Sequence, residues 1–303
     1  MLKKNLIVGG NGQDAYFLSK LLLKKKEKVV SIINKKINRE IKGVKYVKLD
    51  ILSQEKVSLF LKKFKLLNIY FLASYNPSVR DTYDETLLNK NIQINVLGLT
   101  NFLESIYQSQ KRHKLFYASS SHIFADTKNK IQKETTEPKF NSIYALAKYL
   151  GKEVCDFYRD KRNVICSTGI MYSHVSYLSK KNFLINEMIS QMKSNKNIIK
   201  VLNSQSKVDL LSANDAVEAM YKIMQSKKPD NFIVSSKKLI SVKDIFLELK
   251  KKTNKNLKLI DLKKKIINKN NSLKGDNSKI KRKCKWKPKD SLGKIIEEFL
   301  NKS

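Results

Sequence analysis

The chain has 303 residues, of which 41% are hydrophobic and 9% aromatic, enough to bury a large core and to argue against intrinsic disorder. No apolar run approaches the roughly 20 residues of a membrane-spanning helix, and the N-terminus lacks the apolar segment of a signal peptide. Three cysteines without CxxC spacing are typical of a reducing compartment and predict no metal site. We therefore expect a cytoplasmic protein with no membrane partner.

The sequence holds 62 Lys and Arg residues against 27 Asp and Glu residues, a formal charge of +35. A basic surface can bind nucleic acid. However, the lysines are spread along the whole chain and are not interleaved with aromatic residues as RNA recognition requires. A solvated lysine surface accounts for the same composition. We therefore do not expect nucleic acid as the main partner, although the charge would attract small anions.

The first 170 residues alternate short apolar runs, typical of strands, with longer runs that have helical spacing. Strands are predicted at 5–8, 29–33, 44–47, 69–72, 115–117 and 164–167. Helices are predicted between them at 15–25, 57–64, 91–107 and 142–159. Such alternation predicts an α/β fold with a doubly wound parallel sheet of the Rossmann type. Beyond residue 170 the alternation is looser, with a strand predicted at 231–234 and helices at 182–192, 212–225, 242–250 and 292–300.

A glycine turn, GGNGQDA at residues 9–15, follows the first predicted strand and precedes the first predicted helix. Gly9 permits the tight turn, Gly12 lets the backbone approach a pyrophosphate, and Ala15 is small enough for close helix–strand packing. The free N–H groups at the start of the helix would hold the phosphates. A plain strand–helix turn would look similar, but the position in the first βα unit predicts a dinucleotide site.

The identity of the nicotinamide cofactor depends on the end of the second strand. No acidic residue stands there to bind a ribose 2′-hydroxyl, whereas Lys35 and Lys36 would meet a 2′-phosphate. We therefore favour NADP, with NAD as the alternative because lysines occur throughout this chain. Asp50 and Ile51 follow the third strand, where they would contact the adenine.

Tyr144 and Lys148 form a YxxxK motif on a predicted helix, one turn apart and on the same face. The ammonium group of Lys148 is expected to lower the pKa of the phenol from about 10 towards neutrality, so that Tyr144 can act as an acid or base. The motif alone could arise by chance in a chain rich in tyrosine and lysine. The preceding strand, however, ends in ASSS at residues 118–121, where the hydroxyl of Ser120 can bind a reacting oxygen beside Tyr144.

These motifs resemble the extended short-chain dehydrogenases, the NAD-dependent epimerase/dehydratase family, and within it the GDP-mannose 4,6-dehydratase branch. The resemblance covers nearly the whole chain and rests on several blocks in the same order. The blocks are GQD at 12–14, FLAS at 71–74, ETT at 134–136, YALAK at 144–148, GIMYSH at 169–174, SKVD at 206–209, NDAVEAM at 214–220, GD at 275–276, SK at 278–279 and WKPK at 286–289.

The resemblance implies the domains and contacts of a nucleotide-sugar enzyme that acts through transient oxidation at sugar C4. An NAD(P)-binding Rossmann domain would span residues 1–168, with residues 200–235 returning to it, and residues 169–303 would mainly form a smaller, mixed substrate-binding domain. The expected cofactor contacts include residues named above and are Gly9, Gly12, Gln13, Asp14, Lys35, Asp50, Ile51, Leu72, Ala73, Ser74, Lys148 and His174. The nucleotide-activated hexose would contact Ser121, Ser173 and Lys207.

In the implied reaction, Tyr144 takes the O4 proton while a hydride leaves C4, Lys148 holds the ribose and tunes Tyr144, and Ser120 binds O4. Loss of water across C5 and C6 follows, and hydride returns at C6. Family members associate through two long helices, here 91–108 and 142–159, and a homodimer or homotetramer is therefore expected.

The chain departs from the family at several substrate-facing positions. His122 stands where the family has the glutamate that abstracts the C5 proton. It would be a substituted base, a sign that dehydration is lost while hydride transfer remains, or a packing residue. Val208 replaces an arginine that contacts the nucleotide diphosphate, with Lys207 as a possible substitute, and Ser179 replaces an arginine that contacts NADP.

Three functions therefore stay open. The first is a dehydratase, and the second is a 4-keto-sugar reductase or epimerase, which needs Ser120, Tyr144 and Lys148 as catalytic residues but no base in the place of His122. The third is a non-catalytic module that binds NAD(P) or RNA.

Overall fold

The structure, a computed structural model, describes residues 4–75, 85–180, 183–194, 197–262 and 273–302, with the backbone alone for residues 85 and 86. The strands are β1 (Lys4–Val8), β2 (Lys28–Ile33), β3 (Val44–Lys48), β4 (Asn68–Phe71), β5 (Lys114–Ser120), β6 (Ile165–Met171), β7 (Ser173–Val175), β8 (Ile198–Val201), β9 (Lys207–Ser212), β10 (Asn231–Val234), β11 (Leu239–Ser241) and β12 (Lys258–Asp261). The helices are α1 (Gln13–Lys24), α2 (Gln54–Lys62), α3 (Glu85–Ile92), α4 (Gly98–Ser109), α5 (Ile143–Arg162), α6 (Leu184–Ser194), α7 (Ala213–Met224), α8 (Val242–Thr253), α9 (Ser278–Cys284) and α10 (Leu292–Leu300).

Seven of these strands form one parallel sheet in the order β10-β6-β5-β4-β1-β2-β3. The chain adds β2 and β3 on one side of β1, then returns to the other side to add β4, β5 and β6. The strand order therefore reverses between β1 and β4, and the carboxyl ends of these two strands open a crevice of the kind in which α/β proteins bind ligands. The predicted α/β fold class with a Rossmann-type sheet is confirmed.

Both faces of this sheet are covered by helices. Because successive residues of a strand point to opposite faces, Ile7 and Phe116 join the core beneath α1 and α7. Leu6, Val8 and Tyr117 join the core beneath α2, α4 and α5. All five side chains are fully buried. Burial on both faces explains why the inner strands of the sheet are short, largely apolar runs.

The helix predicted at 91–107 begins earlier, at Glu85, and continues from α3 into α4 through a π-helical turn at Gln93–Leu97. Such turns are rare and often occur at functional sites. Asn91 and Asn95 lie on the buried face of this segment, and the Asn95 side-chain amide donates to Asn91 Oδ1 at 3.2 Å.

The later part of the chain adds two small sheets, β11-β9-β7 and β12-β8, around a core formed largely by α6, β8, α8 and α10. The sequence did not predict these strands. By contrast, the predicted strand β10 lies at the edge of the large sheet, beside β6. The predicted helix at 182–192 is α6, and its expected first residue, Asn182, lies outside the described residues. The residue bounds of the two domains stay a prediction. In the part of the chain that the structure describes, no helix is both long and apolar enough to cross a membrane.

Candidate active site

The glycine turn crosses the crevice between β1 and β4. Gly9 has a φ of +102°, a left-handed conformation that favours glycine, and a Cβ at this position would lie 2.7 Å from the Ala73 nitrogen. Gly12 precedes the first residue of α1, and a Cβ there would meet only the Gly9 carbonyl oxygen, at 3.3 Å. Ala15 is 1% exposed and packs against the sheet. The turn thus brings bare backbone and the start of a helix to the crevice, which fits a dinucleotide phosphate.

The residues that follow β4 form the opposite wall of the crevice. The Leu72 N–H continues the sheet by donating to the Val8 carbonyl at 2.9 Å. The Ala73 backbone lies against Gly9, and the exposed Ser74 shares a side-chain hydrogen bond with Tyr144. This wall therefore joins the glycine turn to the predicted catalytic tyrosine.

Asp14 and His174, two predicted cofactor contacts, are paired with each other at the start of α1. His174 Nε2 lies 2.9 Å from Asp14 Oδ2, and its Nδ1 lies 2.8 Å from the Tyr172 carbonyl oxygen. Burial opposes a charge on His174, but the carboxylate of Asp14 outweighs it and raises the pKa of His174 to about 9. Burial likewise opposes the charge on Asp14, whereas His174 and a hydrogen bond from Gln13 hold the pKa of Asp14 below its usual value. The pair is therefore ionised at neutral pH.

The predicted YxxxK motif lies in the first two turns of α5. Ser142 caps this helix by accepting a hydrogen bond from the Ala145 N–H at 3.2 Å, so Tyr144 and Lys148 are held in the crevice one turn apart. Lys148 is 3% exposed, and its Nζ donates to the Ala118 carbonyl at 2.9 Å. The same Nζ lies 5.8 Å from the centre of the Tyr144 ring.

Burial shifts the pKa values of both groups towards their neutral forms. It raises the pKa of Tyr144, against hydrogen bonds from Ser120 and Ser74 that lower it. It lowers the pKa of Lys148 to about 7, although the carboxylate of Asp14 acts in the opposite direction. The pKa of Tyr144 is therefore shifted in the direction opposite to the expected one, because the removal of water dominates.

The end of β5 brings the serine residues and His122 beside Tyr144. Ser119 Oγ donates to the Lys148 carbonyl at 3.1 Å, and Ser120 Oγ accepts from the His122 N–H at 3.2 Å, which begins a single 3₁₀ turn. Ser121 is 5% exposed. The exposed His122 ring packs edge-to-face on Tyr144, with 5.8 Å between ring centres. Partial loss of hydration lowers the pKa of His122, so the imidazole is neutral at pH 7.

The residues predicted to contact the 2′-phosphate and the adenine lie in the loops that follow β2 and β3. Lys35 and Asp50 are exposed, and Asp50 Oδ1 accepts from the Leu52 N–H at 3.0 Å. The Ile51 carbonyl accepts from the Asn101 side chain at 2.9 Å, which fixes this loop on α4.

Arg39 is a candidate cofactor contact that sequence reasoning missed. Asn11 draws the loop after β2 onto the glycine turn, since its side chain donates to the Lys36 carbonyl at 3.1 Å and accepts from the Asn38 N–H at 2.9 Å. Arg39 consequently lines a pocket together with Asn11 and Gly12. The available signal was an arginine, in a chain dominated by lysine, six residues after the second strand.

The predicted substrate contacts on the small sheet are more dispersed. Ser173 is exposed on β7, and Lys207 is exposed at the start of β9, where it lies near the Asp244 carboxylate. Val208 pairs with Ile240 on β11, and both side chains pack on the core of α6 and α8. Ser173 is aligned with Leu210 in the pairing of β7 with β9, three residues from Lys207, and Val208 has a packing role.

Asn95 is a second residue that sequence reasoning missed near the site. The π-helical turn places the Asn95 carbonyl 3.5 Å from the Tyr117 hydroxyl, and the Tyr117 ring lies 5.1 Å from Lys148 Nζ. Two asparagines four residues apart in an apolar helical run were the available signal. No group of three potential metal ligands occurs among the residues that the structure describes.

Comparison with known proteins matches nearly the whole chain to one family. The family model for GDP-mannose 4,6 dehydratase matches residues 6–299. The GDP-mannose 4,6 dehydratase of Dictyostelium discoideum is 27% identical, over 99% of this chain and 95% of the relative. The human GDP-mannose 4,6 dehydratase is 23% identical, over 98% of this chain and 90% of the relative.

Solved structures share the fold at lower identity. A UDP-glucuronic acid 4-epimerase from Bacillus cereus superposes with a TM-score of 0.84 at 18% identity, covering 99% of this chain and 98% of that one. A UDP-glucose 4-epimerase from Thermotoga maritima gives 0.85 at 17% identity, covering 98% and 99%. The family match over nearly the whole chain shows that this protein belongs to the GDP-mannose 4,6 dehydratase family of extended short-chain dehydrogenases.

Proposed function

We propose that this protein is an NAD(P)-dependent enzyme that exchanges a hydride at C4 of a nucleotide-activated hexose. The observation that carries the proposal is the Tyr144 phenol, hydrogen-bonded to Ser120 and Ser74 within the crevice that the glycine turn spans. The Bacillus cereus relative in fold was crystallised with UDP-glucuronic acid and NAD, which supports the same classes of ligand here.

Each residue of the site has a defined task in this reaction. Ser120 would hold the sugar O4, and Tyr144 would exchange a proton with that oxygen as C4 interconverts between alcohol and ketone. Lys148 supplies a positive charge near the phenol when it is protonated, and its pKa of about 7 lets it gain or lose that charge near neutral pH. A bound nicotinamide would accept a hydride from C4 or return one to it. The bare backbone at Gly12 and the first turn of α1 would hold its phosphates.

The site favours reduction or epimerisation of a 4-keto sugar over dehydration. His122 replaces the carboxylate with which the family abstracts the C5 proton. A dehydratase stays the second candidate, since the neutral His122 imidazole lies against the Tyr144 ring and can accept a proton.

Product analysis separates these two reactions. The protein should be incubated with GDP-mannose and NADP, and with a 4-keto sugar nucleotide and NADPH, followed by mass spectrometry. NADPH consumption with the 4-keto substrate and no loss of water from GDP-mannose supports reduction. Conversion of GDP-mannose into a C4 epimer, separated by chromatography and formed without net consumption of the cofactor, supports epimerisation. Loss of water from GDP-mannose establishes the dehydratase, and replacement of His122 by Gln would then abolish that step.

Catalysis through Tyr144 is tested by Tyr144→Phe, with Tyr149→Phe as the matched control. Tyr149 lies on the same helix, where its ring packs on the ring of Phe140 with 5.6 Å between ring centres. We expect Tyr144→Phe to lower kcat by about 100-fold or more, since it removes the acid–base group, while Tyr149→Phe keeps most of the activity. A fully active Tyr144→Phe protein would contradict the proposal.

NADP is the proposed cofactor in preference to NAD. Arg39 lies beside the glycine turn, and no carboxylate ends β2 to bind a ribose 2′-hydroxyl. We expect Arg39→Ala to weaken NADPH binding by about 10-fold or more, the loss of a charge-assisted phosphate contact, and to leave NADH binding unchanged. Equal losses for both cofactors would refute a 2′-phosphate contact.

A non-catalytic module that binds NAD(P) or RNA is disfavoured by the complete Ser120, Tyr144 and Lys148 arrangement. A tight, salt-sensitive RNA complex with which NADPH does not compete would favour the non-catalytic module over the enzyme.

The exposed Leu97 on the π-helical turn and Phe157 on α5 support the proposed homodimer or homotetramer through these helices. The cytoplasmic location stays a prediction.

A further inference from the structure

A short loop, residues 176–179, connects the glycine turn to α6 through hydrogen bonds. Gln13 is the first residue of α1, directly after Gly12, and its side-chain oxygen accepts from Ser176 Oγ at 2.8 Å and from Ser179 Oγ at 2.7 Å. The side-chain nitrogen of Gln13 donates to Asp14 Oδ1 at 3.1 Å. The Gln13 amide therefore joins the phosphate-binding end of α1 to this loop.

The loop is held in one conformation by its own hydrogen bonds. The Ser179 N–H donates to the Ser176 carbonyl at 2.9 Å, and the Ser176 N–H donates back to Ser179 Oγ at 3.0 Å. The Leu178 N–H donates to Ser176 Oγ at 3.1 Å, and Ser176 is 1% exposed. A closed turn of this kind can transmit a displacement of one end to the other, because it has few alternative conformations.

The other end of the loop is fixed to α6. Asn186 lies on the first turns of this helix, and its side-chain amide donates to the Ser179 carbonyl at 2.7 Å. Its neighbours Ile185 and Met188 are buried in the core that α6 forms with β8, α8 and α10. The position of Ser179 is thereby linked to the small C-terminal core as well as to the glycine turn.

We propose that the chain Gln13–Ser179–Asn186 couples occupation of the cofactor site to the affinity for the nucleotide part of the substrate. The inference rests on the proposed function and identifies Ser179 and Asn186 as positioning residues. Phosphates at the start of α1 would order the segment that carries Gln13, and the loop would pass that ordering to α6. Coupling of this kind is reciprocal, so a bound nucleotide should tighten cofactor binding by the same factor.

Removal of the Ser179 hydroxyl should leave the loop in place. Tyr177 packs edge-to-face on Phe17 of α1, with 5.8 Å between ring centres, and shares a hydrogen bond with Tyr16. These contacts do not involve Ser179. Ser179→Ala therefore removes one of the two hydroxyls that donate to Gln13 and leaves that of Ser176, while Ser179→Thr keeps both. Asn186→Ala removes the side-chain hydrogen bond from α6 to the Ser179 carbonyl.

The experiment measures affinities for GDP, with UDP in parallel, by titration calorimetry with and without saturating NADPH. It compares the wild-type protein with Ser179→Ala, Ser179→Thr and Asn186→Ala. Ser194→Ala is the control, because Ser194 lies on the same helix and, among the residues that the structure describes, bonds within that helix to the Ser190 and Gln191 carbonyls. We expect NADPH to tighten nucleotide binding about fivefold or more in the wild type. The enhancement should be reduced in Ser179→Ala, which keeps the bond from Ser176 to Gln13, and largely lost in Asn186→Ala. Ser179→Thr and Ser194→Ala should retain it.

Two results would overturn the inference: equal nucleotide affinities with and without NADPH in the wild type, or full enhancement in Asn186→Ala. Thermal unfolding of each variant shows whether a loss of coupling reflects a loss of fold, and recovery in Ser179→Thr separates positioning from general destabilisation. A wild-type protein that binds neither NADPH nor NADH refutes the proposed function itself, a result distinct from binding without coupling.

Discussion

The ion pair between Asp14 and His174 predicts how the histidines of this protein differ in pKa. The protein contains three histidines, and their surroundings differ. The Asp14 carboxylate outweighs burial and raises the pKa of His174 from 6.5 to about 9, whereas burial lowers the pKa of His113 to about 4. Partial loss of hydration lowers the pKa of His122. Replacement of Asp14 by Asn should therefore lower the pKa of His174 and leave the titrations of the other two histidines unchanged.

The size of the effect follows from the shift at His174. A change from 6.5 to about 9 corresponds to about 3 kcal/mol of differential stability, at 1.36 kcal/mol for each pKa unit. The two side chains are 17% and 21% exposed, so solvent screening makes this figure an upper bound. The folded-state pKa lies above the unfolded value, so this stability is complete below pH 6.5 and is lost as the pH rises through 9.

The assay combines NMR titration of the imidazole protons with urea unfolding at several pH values. In Asp14→Asn the titration near 9 should fall to 6.5 or below, since burial then acts without the carboxylate. The variant should be about 1–3 kcal/mol less stable than the wild type at pH 6, and this difference should shrink above pH 9. Assignment of the signals by His122→Gln identifies the resonances. A wild type with no titration near 9, or a stability difference that is independent of pH, would refute the reasoning.

Two further predictions concern the sheet and the glycine turn. His113 Nδ1 accepts from the Leu67 N–H at 2.9 Å. Burial lowers the pKa of His113 in the folded protein to about 4, below the 6.5 of an unfolded chain. The free energy of unfolding should therefore be highest above pH 6.5 and fall by up to about 3 kcal/mol as the pH drops through 4. Urea unfolding at pH 7 and pH 4.5 measures this loss of stability. If His113→Gln loses the same amount between these pH values, another group is responsible. Gly9→Ala should cost about 1–3 kcal/mol, because its φ is +102° and the new Cβ would meet the Ala73 backbone. Gly12→Ala should cost less stability but weaken NADPH binding, and equal unfolding midpoints for the two variants would contradict this distinction.

The large sheet could be predicted because its inner strands are buried on both faces, which leaves largely apolar runs in the sequence. Residues 231–234, for example, form β10 with the predicted bounds. The strands β7 and β11 have three residues each, too few for any periodicity to be visible. They are defined by pairing with β9, a contact between distant parts of the chain.

In the candidate site too, features set by local sequence could be predicted, and features set by contacts between distant parts of the chain could not. Tyr144 and Lys148 share a face because of the helical pitch, and Ser120 ends a strand, so local pattern was enough to place them. Arg39 reaches the glycine turn only because Asn11 holds the loop after β2, and the pattern of the sequence contains no sign of that contact. The pKa of Tyr144 was predicted in the wrong direction for a related reason, since burial depends on residues that are remote in the chain.

The charge on His174 also bears on how a phosphate can bind at α1. Asp14 lies in the first turn of this helix, where a carboxylate is stabilised by the helix dipole but would repel a pyrophosphate. Pairing with the protonated His174 cancels that charge, and Lys148 adds a further positive charge when it is protonated. As the pH rises through 9, His174 becomes neutral and the Asp14 carboxylate is left unpaired beside the phosphate site. The same ion pair that stabilises the fold is therefore what makes the start of α1 able to accept an anion.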